Sequence, residues 1–199
     1  MKRVPTSFGP RVADCVRIVL ISGSLRVKST NTSVLRTAAA SAPLHIEAAL
    51  YNGLVGLPHF NPDDDRDPLP PAVAAWRTRV RRADAVLFST PEYAGALPGS
   101  FKNLLDWTIG DDQAGSIYEK PVAWINASLR GAVNAHASLQ TVLGYANAVI
   151  VEAACAHIPV SAASVGDGGL ISDPVIRGRI ADALVQLADH VDPERVATQ

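Results

Sequence analysis

The 199-residue sequence predicts an α/β protein of three layers, a five-stranded parallel sheet with helices on both faces. Three observations carry the prediction. Short, continuous apolar runs rich in branched side chains, Val16-Arg17-Ile18-Val19-Leu20-Ile21 and Ala85-Val86-Leu87-Phe88-Ser89, read as strands buried on both sides. Helix-compatible stretches separate the apolar runs, so strand and helix alternate along the chain. Both runs end in loops dense in glycine, proline and hydroxyl side chains, and parallel pairing puts those loops at the same edge of the sheet.

The elements follow in order. Residues 1–14 hold Pro5, Gly9 and Pro10 without apolar periodicity and are expected to form a flexible arm before a single domain over 15–199. The first strand begins at Val16. Residues 32–42 are alanine-rich and helix-compatible, Pro43 ends them, and 45–51 alternate enough for a second strand. Residues 61–68 form an acidic, turn-forming connection, after which Pro70 or Pro71 opens a helix to about Arg82. The third strand starts at Ala85. Behind Pro98-Gly99 comes a short helix over 100–107, then a fourth strand over 121–125 and a helix over 132–145 that ends near Gly144. A fifth strand starts in 148–151. In the last helix, from Asp173-Pro174 to about His190, Val175, Ile176, Ile180, Leu184 and Leu187 share one face.

Composition narrows the function. With 48% hydrophobic and 19% charged residues and a net charge of −1, the chain lacks the basic excess that duplex nucleic acid requires. The first fourteen residues carry Lys2, Arg3 and Arg11 but no apolar stretch of signal-peptide length, and no segment approaches the ~20 apolar residues of a membrane span, so a cytoplasmic protein is expected. Cys15 and Cys155 sit beside apolar runs without metal-ligand spacing and read as buried thiols. The five histidines are scattered and no Gly-x-Ser-x-Gly elbow occurs, so neither a metal ligand set nor a hydrolytic nucleophile is assigned. Asp63, Asp64 and Asp65 read as a solvated turn.

The chemistry lies in the two loops. Gly23-Ser24-Leu25-Arg26-Val27-Lys28-Ser29-Thr30-Asn31 places three hydroxyls (Ser24, Ser29, Thr30), the Asn31 amide and the Arg26 guanidinium at the start of a helix, a donor set suited to a phosphate. It has no second or third glycine in dinucleotide register and no Gly-Lys-Ser/Thr, which sets aside the pyrophosphate and γ-phosphate sites. The second loop has Pro91, Gly95, Pro98 and Gly99 within nine residues, so its backbone can approach a planar ring, with Tyr93 as an aromatic wall. A mononucleotide with a tricyclic head suits both.

Gly-Ser-Leu-Arg followed by Ser-x-Asn, together with Pro-Glu-Tyr and the later Pro-Gly-x-x-Lys-Asn-x-x-Asp-Trp, resembles the NADPH-dependent FMN reductase family of flavodoxin-like proteins, over about residues 16–190. Asp167-Gly168-Gly169-Leu170 is similar as well. The resemblance implies a flavodoxin-like five-stranded sheet, FMN at the strand ends, NADPH or NADH as donor, and a homodimer or homotetramer. It implies that Ser24, Arg26, Ser29 and Asn31 hold the phosphate and that Pro91, Glu92 and Tyr93 border the isoalloxazine. Ala94 stands where the family commonly has Asn, so only backbone contacts carry over there. After the fourth strand, residues 126–132 replace the family's glycine-rich turn; the resemblance implies that Ser128 and Arg130 face the flavin's pyrimidine edge, or that Arg130 meets the nicotinamide nucleotide's phosphate. Leu104, Leu105 and Trp107 are open between interface anchors and core. Two function classes follow. One is an FMN-dependent NAD(P)H oxidoreductase whose acceptor is a quinone, an azo compound, a metal oxyanion or free flavin. The other is a flavodoxin-like carrier or flavin-binding regulatory protein without nicotinamide turnover. The net charge of −1 favours the enzyme, since carriers use strong acidity to steer toward partners.

Overall fold

In the computed structural model, residues 4–12 and 15–193 are described. Along them run β1 (Val16–Ser22), α1 (Thr30–Ser41), β2 (Ile46–Tyr51), α2 (Pro71–Arg81), β3 (Ala85–Ser89), α3 (Gly99–Ile109), β4 (Pro121–Asn126), α4 (Val133–Tyr145), β5 (Val149–Ile150), β6 (Ala156–His157) and α5 (Pro174–Val191). Every strand pairing is parallel, in the order β2-β1-β3-β4-β5, which is the flavodoxin-like order. The expected fifth strand is two pieces, which makes six strands among the described residues. Val151 N–H donates the last ladder bond, to the Val122 carbonyl, and a 3₁₀ turn at Glu152–Ala154 follows. β6 then pairs with the far end of β4.

The continuous apolar runs are explained by two cores. Along β1 and β3, Ile18, Leu20 and Leu87 face one side with Leu35 of α1 and Leu184 of α5, while Val19, Ile21 and Phe88 face the other with Trp76 of α2, Trp107 of α3 and Leu139 of α4. A strand covered on both faces has no polar side to alternate with. Helix starts shift by a residue or two from expectation for local reasons. α1 begins at Thr30 because the Ser29 hydroxyl caps it, accepting from Thr32 N–H at 3.3 Å. α5 begins behind Asp173, whose carboxylate accepts from Val175 and Ile176 N–H.

The first fourteen residues, expected as a flexible arm, are described over 4–12; 1–3 and 13–14 lie outside the described residues. The described part is tied down. Leu50 N–H of edge strand β2 donates to the Pro5 carbonyl at 2.9 Å, which covers part of that edge. Phe8 is buried, with the Arg17 and Arg79 guanidinium groups 5.5 and 5.2 Å from its ring centroid. Arg17, itself buried, donates to Glu47 at 2.9 Å and to the Gly9 carbonyl at 2.8 Å.

One open reading is decided and two expectations are corrected. Trp107 is fully buried, its Nε1–H donates to the Pro58 carbonyl at 2.8 Å, and Phe60 meets its ring edge-on at 4.9 Å, so it is core and not an interface anchor. Leu104 and Leu105 are buried with it. Asp63 and Asp64 are exposed as a turn, but Asp65 pairs at 2.7 Å with Arg77, whose Nε–H donates to the Trp107 carbonyl; the ion pair ties the acidic connection to α2 and α3. Cys15 and Cys155 are only partly buried, though burial still pushes the Cys155 thiol up to about 11. No described helix is long and apolar enough to cross a membrane.

Candidate functional site

The loops after β1, β3 and β4 converge at the carboxyl edge of the sheet, where they enclose a cavity of about 450 Å³. Gly23 explains how the first two come so close. A Cβ there would stand 2.3 Å from Thr90 Oγ1, so any side chain would force the loops apart. Gly23 N–H instead donates to the Ser89 carbonyl at 2.9 Å.

Within the first loop, the expected donors divide into those already engaged and those left over. Ser22 and Thr32 hydroxyls meet at 2.8 Å and join the strand end to the helix start. Ser24 Oγ accepts from Arg26 N–H at 3.3 Å, and Ser29 Oγ caps α1. Both serines thereby act as acceptors and keep a hydroxyl proton to donate. Ser89 Oγ lies 2.7 Å from the Ile125 carbonyl and 2.9 Å from Asn31 Oδ1, sharing its proton between them. Asn31 is buried and held in place by that contact, with its amide N–H₂ unpartnered on the cavity wall. The Thr30 hydroxyl lines the same wall without a partner. Arg26 is exposed, and its guanidinium bonds to no described residue.

In the second loop, Tyr93 and Ala96 exchange backbone hydrogen bonds at 3.0 and 3.1 Å around Ala94 (φ 50°) and Gly95 (φ 74°). Two left-handed residues in succession make the tight turn. Ala94 is strained there where an Asn would sit more easily. Pro91 and Glu92 line the cavity, whereas the half-exposed Tyr93 and Ala94 stand beside it. Glu92 reaches across: its Oε2 accepts from Ala135 N–H at 3.0 Å. The residue before α4, Ala132, offers no side-chain cap, so Glu92 caps that helix from another loop.

The third wall is the segment 127–132. Asn126 Oδ1 accepts from Ser128 N–H at 3.0 Å, and Asn126 Nδ2 donates to the Gly131 carbonyl. Ser128 Oγ accepts from Arg130 N–H at 3.1 Å, and His157 Nε2–H donates to the Ser128 carbonyl at 2.8 Å. Gly131 (φ 91°) and Ala132 (φ 45°) then reverse the chain into α4. His136, one turn on, is buried with Nδ1 2.9 Å from the Ala132 carbonyl, and burial lowers its pKa, which favours the neutral ring.

Thus Thr30, Asn31, Pro91, Glu92, Ser128 and Arg130 line one cavity, Ser24, Arg26 and Ser29 form the loop that leads into it, and Tyr93 and Ala94 make the turn beside it. Asn126 and the capping role of Glu92 escape the sequence. Asn126-Ala127-Ser128 has the short pattern in which an Asn side chain accepts from the backbone two residues on, which is a legible signal. The helix that Glu92 caps begins 41 residues later, and nothing local announces it. Free hydroxyls, a free amide and an exposed guanidinium beside a wall of backbone and small side chains form a donor set that fits a phosphate carrying a flat ring. Among the described residues no cluster of three metal-ligating side chains occurs.

Residues 16–162 match the model of the NADPH-dependent FMN reductase family. The chain is 36% identical over 117 residues to an NAD(P)H-dependent FMN reductase of Pseudomonas aeruginosa, covering 59% of this chain and 62% of that one. It is 30% identical over 160 residues to a quinone reductase of Pseudomonas putida, covering 78% and 84%. Among solved structures, the FerB flavoenzyme of Paracoccus denitrificans, an NAD(P)H:(acceptor) oxidoreductase, superposes with a TM-score of 0.74 at 28% identity, over 88% of this chain and 98% of that one. The matches span 50% to 62% of the length of the first three curated relatives.

Proposed function

The chain belongs to the NADPH-dependent FMN reductase family, and on that premise we propose that it is an FMN-dependent NAD(P)H oxidoreductase that reduces a small-molecule acceptor. The observation that carries the reading is the single cavity where unpartnered donors of Thr30 and Asn31 meet Pro91, Glu92 and the 127–132 wall. FMN, when bound, supplies the hydride and electron chemistry. The chain's own residues bind and orient. Ser24 and Ser29 keep hydroxyl protons for the phosphate, Asn31 adds its amide, and Arg26 is free to close over the anion with a bidentate pair of bonds. Pro91, Glu92, Tyr93 and Ala94 border the ring through backbone and a flat side chain, and Ser128 offers a hydroxyl proton at the opposite wall. Glu92 holds the second and third loops at a fixed separation through Ala135 N–H. Preorganisation of this kind is the protein's share of a reaction whose reactive atoms belong to cofactor and substrates.

For the acceptor, a quinone is supported by the name of the Pseudomonas putida relative and by the exposed apolar side chains of Leu129 and Val133 next to the cavity. The same apolar rim suits a homodimer or homotetramer in which a second copy covers the cavity mouth, and a nicotinamide donor is compatible with a cytoplasmic reaction. The test is the visible spectrum of the FMN-loaded protein under anaerobic conditions. Addition of NADPH or NADH should bleach the flavin bands within a turnover time, and a quinone should restore them. Bound flavin that neither nucleotide bleaches would leave a carrier or regulatory protein instead.

A further inference from the structure

A second cavity, of about 480 Å³, adjoins the first and shares Thr30 and Ala162 with it. One wall is the lead-in to α1 and its first turns, with Lys28, Thr30, Ser33 and Arg36; the other is the turn before α5. Two cations face one carboxylate, Asp167, and neither Lys28 nor Arg36 forms an ion pair or side-chain hydrogen bond with any described residue. Ser33 is only 5% exposed, and its hydroxyl, without a partner among the described residues, is left to the cavity that the residue lines.

The opposite turn passes close to Arg36. At Gly169 (φ 70°) a Cβ would come within 2.9 Å of Arg36 Nη1. The turn is also rigidly placed: Gly169 N–H donates to the Gly166 carbonyl at 2.8 Å, Gly166 N–H to the Leu170 carbonyl at 2.9 Å, and Ile171 N–H to Thr37 Oγ1 of α1 at 3.0 Å. A guanidinium, an ammonium and a hydroxyl on one wall form the donor set of a phosphate monoester. The volume leaves space for the sugar that carries it.

Resting on the proposed function, which leaves the flavin's phosphate to Ser24, Arg26, Ser29 and Asn31, we propose that this second cavity binds the adenosine 2′-phosphate of NADPH and is where the chain distinguishes NADPH from NADH. Arg36 is the principal contact, Lys28 the second, and Ser33 supplies a neutral donor.

The experiment titrates the full-length protein calorimetrically with 2′,5′-ADP and with 5′-AMP, beside an FMN titration. Wild type should bind 2′,5′-ADP at least tenfold more tightly than 5′-AMP. Arg36→Ala should weaken 2′,5′-ADP by about ten- to a hundredfold, the range for a charge-assisted bond, while 5′-AMP and FMN keep their affinities. Lys28→Ala, at an exposed position, should act in the same direction, and the KM ratio of NADPH to NADH should rise by a like factor in both variants. Equal binding of the two probes by wild type would overturn the proposal, as would an Arg36→Ala protein that binds 2′,5′-ADP normally. A parallel loss of FMN would show that the cavity serves the flavin's phosphate instead. Failure of either nucleotide to reduce bound flavin would sink the enzymatic reading alone, since the probe titrations need no turnover.

Discussion

Replacing Glu92 tests how two cofactor loops are held together. Its Oε2 accepts the third free N–H of α4 at 3.0 Å, and Ala132, the residue that would ordinarily cap that helix, has no side chain able to do so. Glu92→Ala leaves the amide without its acceptor and removes a negative charge from the positive end of the helix. The first effect costs about 1 kcal/mol and the second about 0.3–1 kcal/mol, so apo-protein stability should drop by about 1–2 kcal/mol. For a chain of this length each kcal/mol lowers Tm by about 2–4 °C, which predicts a fall of roughly 2–8 °C. Glu92→Gln keeps a carbonyl oxygen in place and loses only the charge, so its Tm should fall by about 1–4 °C at most. Thermal unfolding of both apo variants at low salt measures this, and FMN titration at 25 °C should show the Ala variant binding more weakly, because Ala132 and the loop before it form the far wall of the cavity. An Ala variant as stable as wild type would refute the capping argument. So would a Gln variant that falls as far as Ala, since then the amide bond would contribute nothing beyond charge.

Other outcomes follow from the same geometry. Arg26→Ala removes an exposed, unpartnered guanidinium and should lower FMN affinity about ten- to a hundredfold, leaving riboflavin affinity unchanged; equal loss of both ligands, seen by fluorescence quenching, would contradict a phosphate role. Trp107→Ala empties a fully buried site and removes one of the two hydrogen bonds to the Pro58 carbonyl, the other coming from Asn103, so it should destabilise by about 3–5 kcal/mol in denaturant unfolding rather than yield a stable, dissociated monomer. His136 is held neutral by burial, below its ordinary 6.5. As pH falls through 6.5 the unfolded chain takes up a proton that the native chain refuses, so stability should decline in acid until the native ring also protonates. His136→Leu should flatten that part of the profile between pH 7 and 5, and an unchanged slope would show that other groups set it.

The strands and most helices were legible in the sequence because their signals are local. A strand buried on both faces must be apolar throughout, as β1 and β3 are, and Pro71, Ser29 and Asp173 mark helix starts by chemistry that acts within three residues. The first loop was legible for the same reason, its donors standing within nine consecutive residues. Trp107 was ambiguous, because a large aromatic on an amphipathic helix suits core and interface alike; only the chain folding Pro58 and Phe60 over it decides for the core. The first residues looked unstructured because Pro5 and Gly9 break any periodicity, yet an exposed sheet edge at Leu50 and a buried Arg17 needed partners that the carbonyls of Pro5 and Gly9 supply. Glu92 capping α4, Ser89 orienting Asn31 and Arg36 facing Gly169 are contacts between residues 43, 58 and 133 positions apart. No local pattern encodes such pairs, because their energies arise only after the sheet has brought the loop ends to one edge. The sequence alone therefore determined the layers and the residue types at the site; tertiary structure decided which donors are already bonded and which remain free for a ligand.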